Sequence, residues 1–490
     1  DLTRICLTLD GLPLAIELCA PMIKIFPPDV IADRIEKSLD VIPSGPRDLP
    51  ARQQTLQDVI QWSFDLLQEH EKRLFVRLAV FNGGGTLQAV EAICGHGISG
   101  KMENILSDLV NKNLVIARKG QDGDIHFSLL ETIRQYGRDK LRVLEEAEEI
   151  ADRHTQYYMK LAKQAAVELR GPDQISWTDR LLAIQDNIRA ALDRLIESGE
   201  VETALRFSCD LYEFWLRHSD IEEGRRWLEQ VMKLPGAQEY QELYTNTLIN
   251  LAWLLWLQYK KESKPLVEQA LELARAHTSQ SNTAKALATL GMISINQGNI
   301  TQAQDYLEES SQIYHAIQEE WGYARSCMGL AVIQKVQNQY EAASALYSKA
   351  YHLYKKMGDI HFQCVVLRLI GDLELKCNNL TGGTDAYRES LMIARAVKSN
   401  LQVANNLWGL ARVAKLQGNH TRAVQLFLAS KKVFEDIGAW WSGDDPELEE
   451  VLTTAQVALG EPEFLSVREQ GHHMTMEMAI ELALGNAGDI

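Results

Sequence analysis

The chain contains 490 residues, of which 46% are hydrophobic and 24% are charged, and it has only 12 prolines. This composition excludes a disordered or collagen-like chain, and the length favours roughly three or four packed units, mainly helical. The formal net charge of -17 makes phosphate backbones and anionic membranes poor partners for the chain as a whole.

Targeting and redox signals indicate a cytoplasmic protein without membrane contact. No signal peptide opens the sequence, and the most apolar run, residues 248–257, is shorter than the roughly 20 residues that span a membrane. The seven cysteines are scattered and form no CxxC pair, which is typical of free thiols in a reducing compartment. Because the sequence starts at Asp1 with a helical pattern already under way, we expect a longer parent protein.

Three segments characterise the N-terminal third. Residues 9–20 read LDGLPLAIELCA, in which Gly11 permits a tight helix entry and Pro13 presets the first turn. Residues 55–81 read TLQDVIQWSFDLLQEHEKRLFVRLAVF, and residues 129–136 read LLETIRQY. Together these segments resemble the region that follows the nucleotide-binding core in STAND-class signalling ATPases of the NB-ARC type. The nearest likeness is to large bacterial transcriptional regulators of the LuxR type.

This resemblance implies a domain order for the N-terminal part. Residues 1–50 would be a helical remnant that follows a nucleotide-binding domain, with Gly11 and Pro13 beside the adenine of ATP or ADP bound with Mg in the longer protein. Residues 51–145 would be a winged helix, with strands at 114–117 and 126–129. The intervening GQDG at 120–123 is itself a hairpin signal, because Asp-Gly suits the turn residues that need positive φ.

The expected recognition helix of this winged helix, residues 101–114, is poorly suited to DNA. Its Lys101 and Lys112 are balanced by Glu103 and Asp108, so it has no net positive face for phosphates. We therefore expect no direct contact with nucleic acid. In the resembling family this domain acts as a lid and relay, and we expect it to contact the nucleotide-binding domain of the same protein.

No complete catalytic constellation is visible, so we expect that this chain is not an enzyme and has no metal site. Residues 95–102, GHGISGKM, approach the phosphate-binding pattern GxxxxGK[ST], but Met102 replaces the hydroxyl and an apolar helix precedes the segment instead of a strand. We predict an inter-helix loop there. HExxH, GxSxG and paired metal-ligand spacings are absent from the sequence. ATP binding and hydrolysis would belong to the longer protein.

The C-terminal half repeats itself with a 40-residue period between about 284 and 440. Within each unit a small residue, a large residue and a second small residue stand at i, i+4 and i+7, which places them on one helix face. Gly-Asn and Asn-Asn pairs at 298–299, 378–379 and 418–419 predict the turns between paired helices. The equivalent positions are Ala303, Ala343, Gly383 and Ala423; Leu307, Tyr347, Tyr387 and Phe427; and Ser310, Ala350, Ser390 and Ser430.

These positions resemble tetratricopeptide repeats (TPR), with helices longer than those of the usual 34-residue unit. The predicted fold is therefore all-α: an α-solenoid of TPR-like helix hairpins preceded by a small winged-helix domain with one β-hairpin. We assign 146–235 to a helical bridge with degenerate repeats, 236–440 to the solenoid and 441–490 to C-terminal helices, two of them amphipathic. For the large residues at Tyr347, Tyr387 and Phe427 we predict core packing.

In the TPR family, the first helix of each hairpin lines the concave groove. Six of the matching residues are basic, and Asp372 interrupts them. Such a groove suits a protein or acidic peptide, or a small carboxylate inducer. The alternative interpretation, which the sequence favours equally, is that these residues are ordinary solvated positions on the first helices. The matching residues are Lys285, Arg325, Met328, Lys335, Arg368, Trp408, Arg412 and Lys415.

Two functional hypotheses remain, besides a hydrolase built on residues 95–102. The first is the ligand- or protein-sensing and signal-relay portion of a STAND-type ATPase transcriptional regulator, which acts through TPR-mediated protein interaction. The second is a free-standing TPR scaffold or adaptor without nucleotide-dependent activity.

Overall fold

The computed structural model describes residues 1–8, 23, 26–37, 56–218, 220–439 and 446–485. The nucleotide-contact prediction for Gly11 and Pro13 falls outside these residues. The chain divides into two compact units: unit 1 is Asp1–Leu161 with Asp179–Arg194, and unit 2 is Ala162–Thr178 with Leu195–Ile490. The predicted fold class is confirmed, since unit 1 contains a winged helix and unit 2 an α-solenoid.

The elements up to the end of the winged helix all belong to unit 1. Short helices come first and a small antiparallel sheet lies among the later ones. The bounds are α1 Leu2–Thr8, α2 Pro28–Lys37, α3 Leu56–Asp65, α4 Glu69–Leu78, β1 Gly85–Thr86, α5 Leu87–Cys94, α6 Met102–Asn111, β2 Ile116–Lys119, β3 Ile125–Ser128 and α7 Glu131–Val143.

The sheet has the strand order β1-β3-β2, and the predicted hairpin joins β2 to β3. Gly123 has a φ of 85°, as the Asp-Gly turn requires. The observed strands differ from the predicted 114–117 and 126–129, because the N–H groups of Leu114 and Val115 both donate to the Leu109 carbonyl and so complete the end of α6. Strand β1 was not predicted, since two residues are too short to show alternation.

The loop at 95–102 is confirmed as a connection between α5 and α6. Its carbonyl groups accept hydrogen bonds from two arginines of α4. The Arg77 Nη1 atom lies 2.7 Å from the Cys94 oxygen and 2.5 Å from the His96 oxygen, and Arg73 Nη1 lies 3.2 Å from the Gly97 oxygen. A loop with carbonyls turned toward cations is arranged in the opposite sense to a phosphate cradle, which needs convergent N–H groups.

Three further helices carry the chain from the winged helix toward the solenoid. They are α8 Ala147–Glu168, α9 Gln174–Ala183 and α10 Gln185–Glu197. Within unit 1, the fully buried Asn187 of α10 accepts a hydrogen bond from the Asn82 N–H at 2.9 Å and donates to the Gly84 carbonyl at 2.8 Å. The ring of His154 on α8 lies 3.0 Å from the same Asn187 oxygen. One amide thus fixes the loop before β1 against two helices.

We expect Asn187→Leu to lower the stability of unit 1 by about 3 kcal/mol, because three buried polar groups would lose their partner. Hydrogen exchange of the winged-helix amides and urea unfolding would measure the loss. Asp193→Leu, at an exposed position of the same helix and within unit 1, is the matched control. Equal protection in both variants would contradict the role given to Asn187.

The solenoid of unit 2 consists of consecutive helix hairpins, and each helix contacts the next along the chain. The helices between Gln280 and Asp436 have 17 or 18 residues each, which confirms the expected longer helices. The bounds are α11 Val201–His218, α12 Ile221–Met232, α13 Gln241–Leu257, α14 Ser263–Ala276, α15 Gln280–Asn296, α16 Ile300–Ala316, α17 Glu320–Val336, α18 Tyr340–Met357, α19 Ile360–Lys376, α20 Leu380–Ala396, α21 Asn400–Leu416 and α22 His420–Asp436.

The 40-residue period is also visible in the backbone. Residues with positive φ recur at the turn inside each hairpin and at the turn between hairpins, where they end the preceding helix. The turns predicted from Gly-Asn and Asn-Asn pairs are therefore confirmed. The first set is Gly298, Asn338, Asn378 and Gly418, and the second is Thr278, Gln318, Gly358, Lys398 and Gly438.

The large residue of each repeat fills the space between neighbouring first helices. Tyr387 is fully buried, and a Cβ added to Gly371 or Gly409 would lie 2.8 Å and 2.4 Å from its Cε1 atom. Tyr347 and Phe427 are likewise fully buried, which confirms core packing for these aromatic residues. Small residues at the facing positions are therefore a steric requirement of the stack.

Three C-terminal helices, where two were predicted, follow the solenoid. Gly460, with a φ of 78°, and the Met474-Thr475 pair divide them, and Thr475 caps the last helix by accepting from the Met478 N–H at 3.2 Å. All three contact α22 and share its apolar core. They are α23 Pro446–Leu459, α24 Glu461–His473 and α25 Met476–Leu484.

Candidate ligand-binding site of the solenoid

The eight predicted groove residues all lie on first helices of hairpins, on α15, α17, α19 and α21. The repeat aligns several of them: Lys285 with Arg325, and Met328 with Arg368 and Trp408, one period apart. On α17 the positions 325, 328 and 335 follow helical spacing along one face. The eight nevertheless have different surroundings, and three environments can be distinguished.

The C-terminal part of the groove is covered by α23. The Arg412 guanidinium donates to both carboxylate oxygens of Glu447 at 2.7 Å, and Trp408 Nε1 donates to the same carboxylate at 3.2 Å. Lys415 Nζ lies 2.8 Å from Glu450 Oε2. Burial would raise the pKa of Glu447, but the hydrogen bonds and charge of Arg412 outweigh burial and lower it. An acidic helix of the chain itself therefore occupies this part of the basic stripe.

Asp372 neutralises the middle of the stripe. Its carboxylate accepts from Arg368 Nη1 at 3.0 Å and from the Tyr387 hydroxyl at 2.6 Å, and it lies 4.0 Å from Lys335 Nζ. Burial opposes ionisation of Asp372, yet Arg368 and the other neighbouring cations hold its pKa below the ordinary value. Arg368 and Lys335, taken together with the Asp372 carboxylate, leave a net charge of about +1 here.

Lys285 stands at the N-terminal end of the stripe without a carboxylate partner among the described residues. Its ammonium group donates to the side-chain oxygens of Asn246 at 2.7 Å and Asn250 at 2.5 Å, and lies 5.1 Å from the Tyr212 ring centre. Burial lowers the pKa of Lys285 to about 8. This lysine is thus held by neutral groups within the protein.

Between these ends lies a cavity of about 230 Å³ inside unit 2. Arg325, Met328 and Arg368 are the predicted groove residues that line it. The Arg325 guanidinium is buried and stacks on the Trp253 ring, with a carbon-to-centroid distance of 4.0 Å. The structure thus brings together three of the eight residues at an enclosed site and gives the other five protein partners or different surroundings.

Sequence reasoning missed the aromatic wall of this cavity. Trp253 and Trp256 of α13 have ring centroids 4.6 Å apart, and Phe362 and Phe434 contribute from α19 and α22. The available signal was the tryptophan pair itself, because one period later Ile293 and Asn296 occupy these positions and show that the pair is not part of the repeat pattern.

A buried ion cluster borders the cavity at His361 and Phe362. Arg217 of α11 donates to both oxygens of Asp359, at 3.0 Å and 2.9 Å, and to Glu213 at 3.0 Å. Trp321 Nε1 donates to Asp359 at 3.0 Å. Burial would raise the pKa of Glu213, but the charges of the two neighbouring arginines lower it strongly. The cluster joins α11 to the turn before α19.

Two buried histidines should make stability depend on pH. Burial lowers the pKa of His361 to about 3 and that of His154 to about 4, below the ordinary 6.5. Both are neutral when folded, so the unfolded chain binds more protons and stability falls as pH drops from about 6.5 to 4. The loss would be about 3 kcal/mol for His154 alone.

The test compares His361→Leu with the parent chain in urea unfolding at several pH values. We expect the variant to lose less stability over this interval. The difference between proteins is the useful quantity, because burial raises the pKa of Asp210 to about 6, and that carboxyl titrates in the opposite sense. Parallel stability curves would contradict the assignment to His361.

The arrangement of α4, α5, α6 and the β2–β3 hairpin agrees with a family comparison. Residues 67–142 match the family model described as "Winged helix-turn-helix domain". These residues form a winged helix-turn-helix domain. On its α6 helix Glu103 and Asp108 are exposed, and Lys112 lies 2.5 Å from the Glu71 carboxylate.

Curated relatives align along much of the chain. A Mycobacterium tuberculosis protein named "Putative HTH-type transcriptional regulator" is 29% identical over 437 residues, which are 86% of this chain and 47% of the relative. An "Uncharacterized protein" of Mycobacterium bovis is 31% identical over 157 residues, covering 31% of this chain and 40% of the relative. The chain therefore spans about half the length of the first of these curated relatives, and less of the second.

Solved structures are also similar to the chain. One is the Signal Transduction ATPase with Numerous Domains (STAND) protein with a tetratricopeptide repeat sensor from Pyrococcus horikoshii, at 15% identity and a TM-score of 0.48, covering 96% of this chain and 69% of that one. Another is a Rap protein complexed with Competence and Sporulation Factor, at 13% identity and a TM-score of 0.45, covering 78% and 99%.

No described helix is both long and apolar enough to cross a bilayer. Nor do three or more His, Cys, Asp or Glu side chains in the described part of the chain come together as metal ligands.

Proposed function

We propose that this chain is the sensing and signal-relay portion of a transcriptional regulator of the STAND type, with the solenoid as sensor. The observation that carries the proposal is the order of its parts: a winged helix-turn-helix domain followed by a TPR-like solenoid with an enclosed cavity. The relative that aligns over 86% of the chain and is named as an HTH-type transcriptional regulator supports it. We propose that the protein is located in the cytoplasm. We also propose that this chain carries out no catalytic step.

The finer part of the proposal concerns the nucleotide. The NB-ARC and LuxR resemblance implies that the longer protein binds ATP or ADP with Mg, and it assigns Gly11 and Pro13 to that nucleotide. Both residues lie outside the residues that the structure describes. The winged helix would contact the nucleotide-binding domain of the same protein and transmit to it whether the solenoid has bound its ligand.

We further propose that the winged helix does not itself bind DNA. On its α6 helix the exposed Glu103 and Asp108 would face phosphates unfavourably, and Lys112 is engaged by Glu71. Arg118 and Lys119 on the wing are the exposed cations that could contradict this. Replacing both by glutamate in the natural protein should leave promoter occupancy unchanged, and a clear loss of occupancy would assign DNA binding to this domain.

The main test is made in the organism that encodes the protein. Chromatin immunoprecipitation of the tagged natural protein should give enrichment at a small number of promoters, and disruption of its gene should change transcription of the adjoining genes. Absence of both effects would refute a regulator and favour the free-standing TPR scaffold. Transcript changes without promoter enrichment would favour a relay that acts through another DNA-binding protein.

The role of the groove is tested by partner capture. Arg368→Glu and Arg412→Glu reverse charge at the cavity and beneath α23 respectively, and Arg206→Glu on the outside of α11 is the control, where Arg206 pairs only with the half-exposed Glu202. If both groove variants recover as much partner or inducer as the parent chain does, the result would contradict ligand sensing by the groove.

A further inference from the structure

The cavity of unit 2 combines an aromatic wall with two arginines. Trp253, Trp256 and Phe362 line it, and Arg325 and Arg368 are its only cationic side chains among the described residues, His361 being neutral. Asp372 outside the cavity partly neutralises Arg368 at 3.0 Å. A pocket of this kind favours a ligand with a flat apolar body and a small polar group.

Arg325 has no anionic partner. It is 5% exposed, its guanidinium lies against Trp253 and Trp321, and no carboxylate of the described residues lies within salt-bridge distance of it. Its Nη2 atom is buried and has no hydrogen-bond acceptor among the residues that the structure describes. A buried guanidinium normally has a carboxylate or several acceptors, because an unsatisfied charged donor costs more than an ordinary one.

Further unpaired polar atoms line the same cavity. Trp253 Nε1 and Arg368 Nε are buried donors without an acceptor, and Gln402 Oε1 is a buried acceptor without a donor. The three unpaired donors, of Arg325, Trp253 and Arg368, thus belong to side chains that line one cavity. Most buried polar groups in proteins are paired, so such a set at a cavity indicates a ligand that supplies the missing acceptors.

The charge and size of the site limit the ligand. Of the two cations that line the cavity, Arg368 is paired with Asp372 and Arg325 has no carboxylate partner among the described residues, which suits a singly charged anion and not a phosphate dianion. Sites for drug-sized ligands usually measure about 300–1,000 Å³, whereas this cavity measures about 230 Å³. A small molecule fits such a volume, and an extended peptide does not.

We propose that this cavity binds a small aromatic monocarboxylate. Its carboxylate would accept hydrogen bonds from Arg325 and from the adjacent unpaired donors, and its ring would pack against Trp253, Trp256 and Phe362. Such ring contacts stabilise a bound aromatic ligand beyond the effect of the buried area. The inference rests on the proposed function, because it names the class of signal that the solenoid would sense.

The experiment measures binding to the full 490-residue chain by isothermal titration calorimetry. The probes are phenylacetate and indole-3-acetate, with phenylacetamide and indole-3-acetamide as neutral counterparts of the same shape. We expect at least one acid to bind at least tenfold more tightly than its amide. Arg325→Met, which removes the charge but keeps an apolar chain against Trp253, should abolish that preference.

Two further variants keep the result interpretable. Arg226→Met is the matched control, because Arg226 also lies over a tryptophan, Trp227, at 5.4 Å but is exposed and outside the cavity. Val332→Phe narrows the cavity without changing its charge, so it should weaken binding even if Arg325→Met fails to fold. Circular dichroism verifies the fold of each variant.

The proposal is overturned if no acid binds the folded parent chain, if acid and amide bind equally, or if both cavity variants retain full affinity. Binding only of peptides with a free carboxyl terminus would also overturn it. These outcomes concern the ligand alone. Promoter enrichment in the organism can persist when they occur, so failure of this inference is distinguishable from failure of the proposed function.

Discussion

Arg217→Met is expected to lower the free energy of unfolding of unit 2 by about 3–5 kcal/mol, because it leaves Glu213 and Asp359 buried without their shared cation. Arg217 donates three hydrogen bonds to these carboxylates, and its side chain is almost completely buried. Arg170 would remain beside Glu213 at 2.7 Å but does not reach Asp359. Urea unfolding followed by far-UV circular dichroism measures the loss.

Arg206→Met is the matched control for this variant. Arg206 lies on the same helix, α11, and pairs with Glu202 at 2.8 Å, but both side chains are half exposed. An ion pair of this kind contributes at most about 1 kcal/mol. If both substitutions cost the same, the buried cluster would not be a major source of stability.

The second large effect is expected for Tyr387→Ala, which should destabilise unit 2 by about 3–5 kcal/mol. The ring fills the space between Gly371 and Gly409, and its hydroxyl donates to Asp372 at 2.6 Å. Truncation therefore leaves a cavity and removes the shorter of the two hydrogen bonds to that carboxylate oxygen, which keeps Arg412 Nη1 at 3.5 Å. The neighbouring first helices α19 and α21 would lose the ring against which both of them pack. Thermal unfolding and hydrogen exchange of α19 and α21 measure the effect.

Met392→Ala, on the same helix α20, controls for helix propensity and chain length, because Met392 is 53% exposed. We expect a change within about 0.5 kcal/mol for this surface substitution. A stability loss for Tyr387→Ala as small as that of the control would show that the stack tolerates a missing large residue, contrary to the repeat-packing interpretation.

The solenoid could be predicted from the sequence because its determinants are local and repeated. Each repeat has a small residue such as Gly371 or Ala411, a large residue such as Tyr387 and a turn such as that at Asn378, always at the same spacing. Every repeat therefore predicts the same helix hairpin on its own. The winged helix was predicted mainly by resemblance, supported by the Asp-Gly turn at 122–123. Its strand bounds were wrong by one or two residues, since short strands hardly show alternation.

The candidate site was only partly predictable. The predicted groove positions include Arg325 and Arg368, which line the cavity, but no local pattern indicated that Glu447 on a helix after the repeats would pair with Arg412. The pairing of Arg217 with Asp359 spans 142 residues and likewise leaves no periodic trace. Contacts between distant parts of a solenoid depend on how the whole stack curves, which a repeat pattern does not specify.

The Arg217–Asp359 contact also restricts how the number of hairpins can change during evolution. Arrays whose units touch only their neighbours can gain or lose a unit without disturbing the rest. Here, deletion of one 40-residue hairpin between α11 and α19 would bring the next equivalent turn opposite Arg217, and that turn carries Ser399 in place of Asp359. The arginine would then face a neutral hydroxyl. Loss of a hairpin should therefore be tolerated only outside this closed stretch.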